Sequence, residues 1–137
     1  MREPVPLVRA ARADDRATID VLLSVRTASL RGSEDHAGMV ASEGGEWLLA
    51  EIDATVVGAA CLALDRQPRP AVLCVVVHPG ARGLGIGAAL LDACRKLVRD
   101  RGGSRLDALA LPGDRETKNL YERAGLTARL IVASGDA

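Results

Sequence analysis

Residues 71 to 103 leave this chain little choice of fold. An apolar run, Ala71-Val72-Leu73-Cys74-Val75-Val76-Val77, is followed by His78-Pro79-Gly80 and then by Arg82-Gly83-Leu84-Gly85-Ile86-Gly87. β-Branched residues closed by Pro79 and Gly80 predict a strand buried on both faces. From Ile86 the apolar positions Ile86, Leu90, Leu91, Cys94, Leu97 and Val98 are spaced by three and four, which predicts one buried helical face. Arg95, Lys96, Arg99 and Arg101 collect on its other faces near the end. Cations there oppose the carbonyl end of the helix dipole, and Gly102-Gly103 marks the stop. The stretch therefore reads as strand, glycine loop and helix. At the start of that helix the first N–H groups have no intrahelical acceptor, and the glycines leave the backbone uncovered. Such a terminus is an anion site.

At 137 residues the chain is long enough for one domain with a sizeable core, taken as 1–137. Eighteen basic residues balance eighteen acidic ones along the sequence, so no electrostatic footprint points to nucleic acid or to an anionic membrane. No apolar segment is long enough to cross a bilayer, and Met-Arg-Glu-Pro lacks the apolar stretch of a signal peptide. The expected location is cytoplasmic. Cys61, Cys74 and Cys94 are odd in number and lack CxxC spacing, which suits buried reduced thiols and no metal site. There is no Phe, and Trp47 and Tyr121 are the only aromatic residues. Aliphatic residues and alanine must then build the core.

Taken in order, Val5 to Arg9 predicts a first strand, and Asp14 or Asp15 an N-cap. A helix carrying Ile19, Leu22, Leu23 and Leu30 follows. Arg31 to Gly45 is polar, with room for a short helix within a loop. Glu46 to Ile52 and Thr55 to Leu64, separated by Asp53-Ala54, predict a β-hairpin, although that pair is not the strongest turn signal. Ala71 to Val77 completes a meander. After the long helix, Arg105 to Leu111 predicts a strand able to lie parallel to Val72–Val77, since a helix intervenes. Asp114 opens a shorter helix ending at Gly125, and Leu126 to Ala133 predicts a last strand.

The glycine loop admits three readings. It can be a plain tight turn. It can be a dinucleotide fingerprint, with Gly83, Gly85, Ala88 and a downstream Asp107; against this, three strands precede the loop and Asp107 falls early in its strand. A nucleotide-triphosphate loop fails, because Ile86-Gly87 stands where Lys-Ser/Thr is needed. Third, Arg82-x-x-Gly85-x-Gly87 after Val-x-His-Pro resembles the acetyl-CoA motif of the GCN5-related N-acetyltransferases. Asn119-Leu120-Tyr121-Glu122-Arg123-Ala124-Gly125-Leu126 is similar to that family's second motif, with Leu126 in place of the usual Phe.

The resemblance implies a mixed α/β (α+β) acyl-CoA N-acyltransferase fold, with a central, mostly antiparallel twisted sheet whose parallel strand pair splays between flanking helices. It implies acetyl-CoA as acyl donor and direct transfer to a primary amine, on a small molecule or a protein. It places the CoA pyrophosphate on the backbone of Arg82, Gly83, Leu84, Gly85, Ile86 and Gly87, and Asn119 beside the cofactor. Pantetheine falls on the main chain of Val75, Val76 and Val77, where an N–H would face the thioester carbonyl. Tyr121 matches the general acid that protonates the departing thiolate; otherwise it is a tyrosine packed on a short helix. Asp114 stands where many relatives have a CoA-contacting asparagine, and an aspartate there suits a helix cap. Leu109 occupies the position of the fifth-strand glutamate that serves other members as base. Asp107, two residues earlier, is the carboxylate candidate, with His78 or a water chain as alternatives. Glu34, Asp35, His36 and Glu43 fall where the family shapes its acceptor pocket. One strand follows Gly125 where many relatives have two, which leaves an edge that a homodimer could complete. The rival readings are a non-catalytic acyl-CoA-binding module and a dinucleotide-binding protein.

Overall fold

The computed structural model describes residues 5–27, 45–111, 114–127 and 135–137. The polar segment 31–44, with Glu34, Asp35, His36 and Glu43, lies outside the described residues. So does the expected last strand beyond Thr127.

The elements are β1 (Leu7–Ala10), α1 (Arg16–Thr27), β2 (Glu46–Ile52), β3 (Thr55–Ala63), β4 (Ala71–Val77), α2 (Ile86–Asp100), β5 (Asp107–Ala108) and α3 (Arg115–Arg123). The five strands form one sheet in the order β1-β2-β3-β4-β5. The first four are antiparallel neighbours, and β5 runs parallel to β4. The β2–β3 link is as short as expected. Asp53 and Ala54 take φ of +50° and +66°, which are the two left-handed positions of a type I′ hairpin turn. Asp tolerates that region, whereas Ala54 is strained there.

Each face of the sheet carries one long helix. Leu48, Ala50, Ala60, Leu62, Val72 and Val75 pack with Ile86, Leu90, Leu91, Cys94 and Val98 of α2. Leu49, Ala59 and Val76 meet Ile19 and Leu22 of α1 on the opposite face. In a chain without Phe, small residues at the sheet centre let the helices come close. Gly58 is the extreme case, since a Cβ there would stand 2.7 Å from Ile86 Cγ2 and 3.1 Å from the Val76 carbonyl oxygen. All three cysteines are free and buried, and burial pushes each thiol up to about 12. They serve as small core residues, because thiolate chemistry is suppressed there.

Three expectations are corrected. The first strand begins at Leu7, and Val5 is exposed. Neither Asp14 nor Asp15 caps α1: a 3-10 turn, Ala13–Asp15, leads directly into the helix. The Asp15 carboxylate turns back instead, accepting from the Arg12 N–H at 2.7 Å and from both terminal nitrogens of Arg9 at 2.8 and 2.9 Å. Arg9 Nε also donates to Glu51 at 3.1 Å, which ties β1, β2 and the start of α1 together. The third correction is β5, which forms a ladder over Asp107–Ala108 alone and not over Arg105–Leu111. Its cause lies in β4 and bears on the site.

Relief of the turn strain should be measurable. Ala54→Gly is expected to stabilise the fold by about 0.5–1 kcal/mol, read as a higher midpoint in urea denaturation. The Arg9 guanidinium holds the Asp15 carboxyl well below the usual carboxylate range. Its stabilisation is therefore present above the unfolded value, about pH 4, and is lost as pH falls towards the folded value. Asp15→Asn should lower the melting temperature at pH 7, and the gap to wild type should narrow steadily below about pH 4.

Candidate functional site

The site begins where β4 and β5 part. They pair at Ala71–Asp107 and Val72–Ala108, with the Asp107 N–H on the Pro70 carbonyl and the Leu109 N–H on the Val72 carbonyl, both at 2.9 Å. Against β3, Cys61 faces Cys74 but Leu62 faces Val72, so β4 accommodates Leu73 as an extra residue. Leu73 and Cys74 consequently share one face of the sheet, while Val72 and Val75 share the other. A bulge of this kind reverses which way the following peptides point. His78 donates its N–H to the Val57 carbonyl at 2.7 Å. Counting back by the antiparallel alternation, the polar groups of Val76 and Cys74 turn to β3, and those of Val75 and Val77 turn to the side from which β5 has departed. The expected triad of strand-end valines, Val75, Val76 and Val77, thus divides: two present their main chain to the fork, and Val76 presents its own to β3.

With Cys74 turned to β3, the acceptor that a continued ladder would use, the Leu109 carbonyl, takes a hydrogen bond from the Tyr121 hydroxyl at 2.7 Å. Tyr121 is 6% exposed, and its ring packs in the cluster that holds Val75 and Ile86. It is carried by α3, whose start is built by Asp114. That carboxylate accepts from the Thr117 N–H at 3.1 Å and from the Thr117 hydroxyl at 2.6 Å. Asp114 is the helix cap that its residue type suggested. Asn119 lies exposed on α3. The far end of the helix is held by the Arg95 side chain, which donates to the Ala124 carbonyl.

Between β4 and α2 the chain makes a 3-10 turn, Pro79–Ala81, in which His78 Nδ1 accepts from the Gly80 N–H at 2.9 Å. Arg82 is extended, and its side chain reaches Glu116 on α3 with Nη1 3.1 Å from Oε1. The glycines then separate by role. Gly83 and Gly85 have φ of +82° and +73°, and a Cβ on either would meet nothing within 4 Å. Their requirement is conformational. Gly87 is a contact glycine, because a Cβ there would stand 2.8 Å from the Leu120 side chain. The first helical bond at this end runs from the Ala89 N–H to the Gly85 carbonyl. The N–H groups of Ile86, Gly87 and Ala88 are thus without an intrahelical acceptor, at the positive end of a fifteen-residue helix. Open space in front of two glycines and a run of forward-facing N–H groups fit a pyrophosphate.

Asp107 is not brought to Tyr121. Its carboxylate is held by Arg69 Nε at 3.1 Å. By alternation along β5 its side chain lies on the face of Leu109, which packs with Cys61 and Leu73, whereas Tyr121 packs on the face of Ala108. Sequence reasoning missed the Leu109 carbonyl, because a main-chain acceptor leaves no residue-type signal. It also missed Glu116, which reads as an ordinary acid in the first turn of a helix. Among the described residues no three of His, Cys, Asp and Glu come together as a metal-binding group, and no helix is long and apolar enough to cross a membrane.

Comparison with known proteins agrees with this geometry. The sequence matches the model of the acetyltransferase (GNAT) family over residues 19–126. Among solved structures, a ribosomal-protein-alanine N-acetyltransferase from Brucella melitensis biovar Abortus 2308 is similar, with a TM-score of 0.77 and 22% identity, covering 97% of this chain and 99% of that one. An aminoglycoside N-acetyltransferase in complex with CoA superposes with a TM-score of 0.73 at 15% identity, over 99% of this chain and 98% of that one. A Salmonella typhimurium protein solved with its cofactor acetyl-CoA gives a TM-score of 0.70 at 20% identity, over 91% and 81%. A search of curated proteins finds no match. At these identities the structures show a shared fold, and the family model, which spans most of the sequence, shows that this chain belongs to the GNAT acetyltransferase family.

Proposed function

We propose that this protein transfers the acetyl group of acetyl-CoA to a primary amine, with Tyr121 as general acid. The observation that carries the reading is the position of the Tyr121 hydroxyl on the Leu109 carbonyl, at the fork between β4 and β5. It stands where the main chain of Val75 and Val77 faces outward.

Acetyl-CoA supplies an acyl thioester when bound. The chain's own groups then have separable tasks. The backbone N–H groups from Gly83 to Ala88, held by the two left-handed glycines and the start of α2, bind the pyrophosphate. Val75 and Val77 orient the pantetheine arm through main-chain hydrogen bonds, as an added strand would, and an N–H from this edge polarises the thioester carbonyl. Tyr121 passes its proton to the sulfur as the carbon–sulfur bond breaks, and the attacking amine loses a proton to solvent. Asp107 has no part in this scheme, since Arg69 holds its carboxylate on the other face of the sheet. The named neighbours span both acceptor classes considered for this chain, a ribosomal-protein alanine and an aminoglycoside.

Tyr121→Phe should bind acetyl-CoA with affinity close to wild type and lower kcat by about 10²- to 10⁴-fold, the usual range for a general acid. CoA release over a panel of amines, beside calorimetric binding, reads both quantities. Undiminished turnover at saturating substrates would exclude the acid role, and binding without turnover on any amine would favour a non-catalytic acyl-CoA module. Thermal stabilisation by acetyl-CoA and not by NAD is expected; the reverse would point to the dinucleotide reading.

A further inference from the structure

We infer that Glu116 sets the affinity of the glycine loop for acyl-CoA, because its carboxylate competes with the pyrophosphate for the Arg82 guanidinium. The inference rests on the acyl-CoA reading of that loop. Arg82 is the only lysine or arginine between His78 and Asp92, so it is the one side-chain cation that the loop itself can offer an anion. Its guanidinium is directed across to α3, with Nη1 3.1 Å from Glu116 Oε1. The loop backbone has the same sign as the guanidinium: the N–H groups of Ile86, Gly87 and Ala88 gather positive potential at the start of α2. A carboxylate on Arg82 offsets the guanidinium's charge beside the place where two phosphates would sit.

Exposure argues that the pair is not there to hold the fold. The Arg82 and Glu116 side chains are 53% and 59% exposed, and ion pairs that open to water add little to stability. Other contacts already join α3 to its surroundings: Leu120 seats on Gly87, Tyr121 bonds to Leu109, and Arg95 bonds to Ala124 at the helix end. A weak, solvated pair exchanges partners readily, and a phosphate accepts the planar guanidinium fork at least as well as a carboxylate does. Displacing Glu116 therefore costs part of the binding free energy on each association.

A double-mutant cycle tests this, with CoA as the titrant in calorimetry at low salt. Glu116→Gln should tighten CoA binding by about two- to five-fold, the range set by an exposed ion pair. In an Arg82→Gln background the same substitution should have no effect, because the contested group is gone. Unchanged or weaker CoA binding by the E116Q variant overturns the inference. So does a gain that persists with Arg82→Gln, which would mean that Glu116 repels phosphate through space without engaging Arg82. Absence of CoA binding by the wild-type protein would instead overturn the reading of the loop, and the inference with it.

Discussion

The extra residue in β4 governs how the rest of the site is arranged. Up to Val72 the strand pairs with β5 in the ordinary way. Leu73 then shifts the register against β3, and the main chain beyond it is turned over. Two consequences follow from one insertion. The Cys74 peptide is committed to β3, so β5 loses its next partner and leaves. Two valines downstream show their hydrogen-bonding groups to the opening. The departed strand still needs an acceptor satisfied at Leu109, and Tyr121 satisfies it from another element. A buried tyrosine hydroxyl is thereby fixed at the mouth of the fork.

Close packing by small residues delivers the loop to the same place. Gly58 lets the first turn of α2 lie directly on β3, and Gly87 lets α3 lie on α2 through Leu120. The start of α2, the end of β4 and the Tyr121 ring consequently meet in one apolar cluster. With no Phe in the chain, alanine and valine at the sheet centre keep both helices near it, and the buried cysteines behave as further small residues.

Charge is distributed between two kinds of task. Arg9, Asp15 and Glu51 form a nearly buried network that fastens β1 to β2 and to the start of α1. Its energy depends on exclusion from water and on bidentate geometry. Arg82 and Glu116 are solvated, and their pairing is better suited to exchange than to support. Arg69 and Asp107 occupy the closed end of the parallel pair, away from the fork.

Local pattern alone determined a good deal. The β4–loop–α2 unit, the hairpin, the buried face of α2 with its starting glycines, and the cap at Asp114 were all legible. Each depends on periodicity, on φ preference or on a contact within four residues. The family resemblance implied that β4 and β5 part, but the bulge at Leu73 that parts them was not legible, because a bulge is a disagreement between two strands' registers and neither strand encodes it alone. For a similar reason spacing could not show that Tyr121 and Asp107 serve different faces of the sheet. Asp107 and Tyr121 are fourteen positions apart, but which face of the sheet each serves depends on how β5 and α3 pack. Residue types fixed what chemistry was available; the tertiary structure decided which groups share a face, since burial and pairing across the sheet set the direction of every side chain.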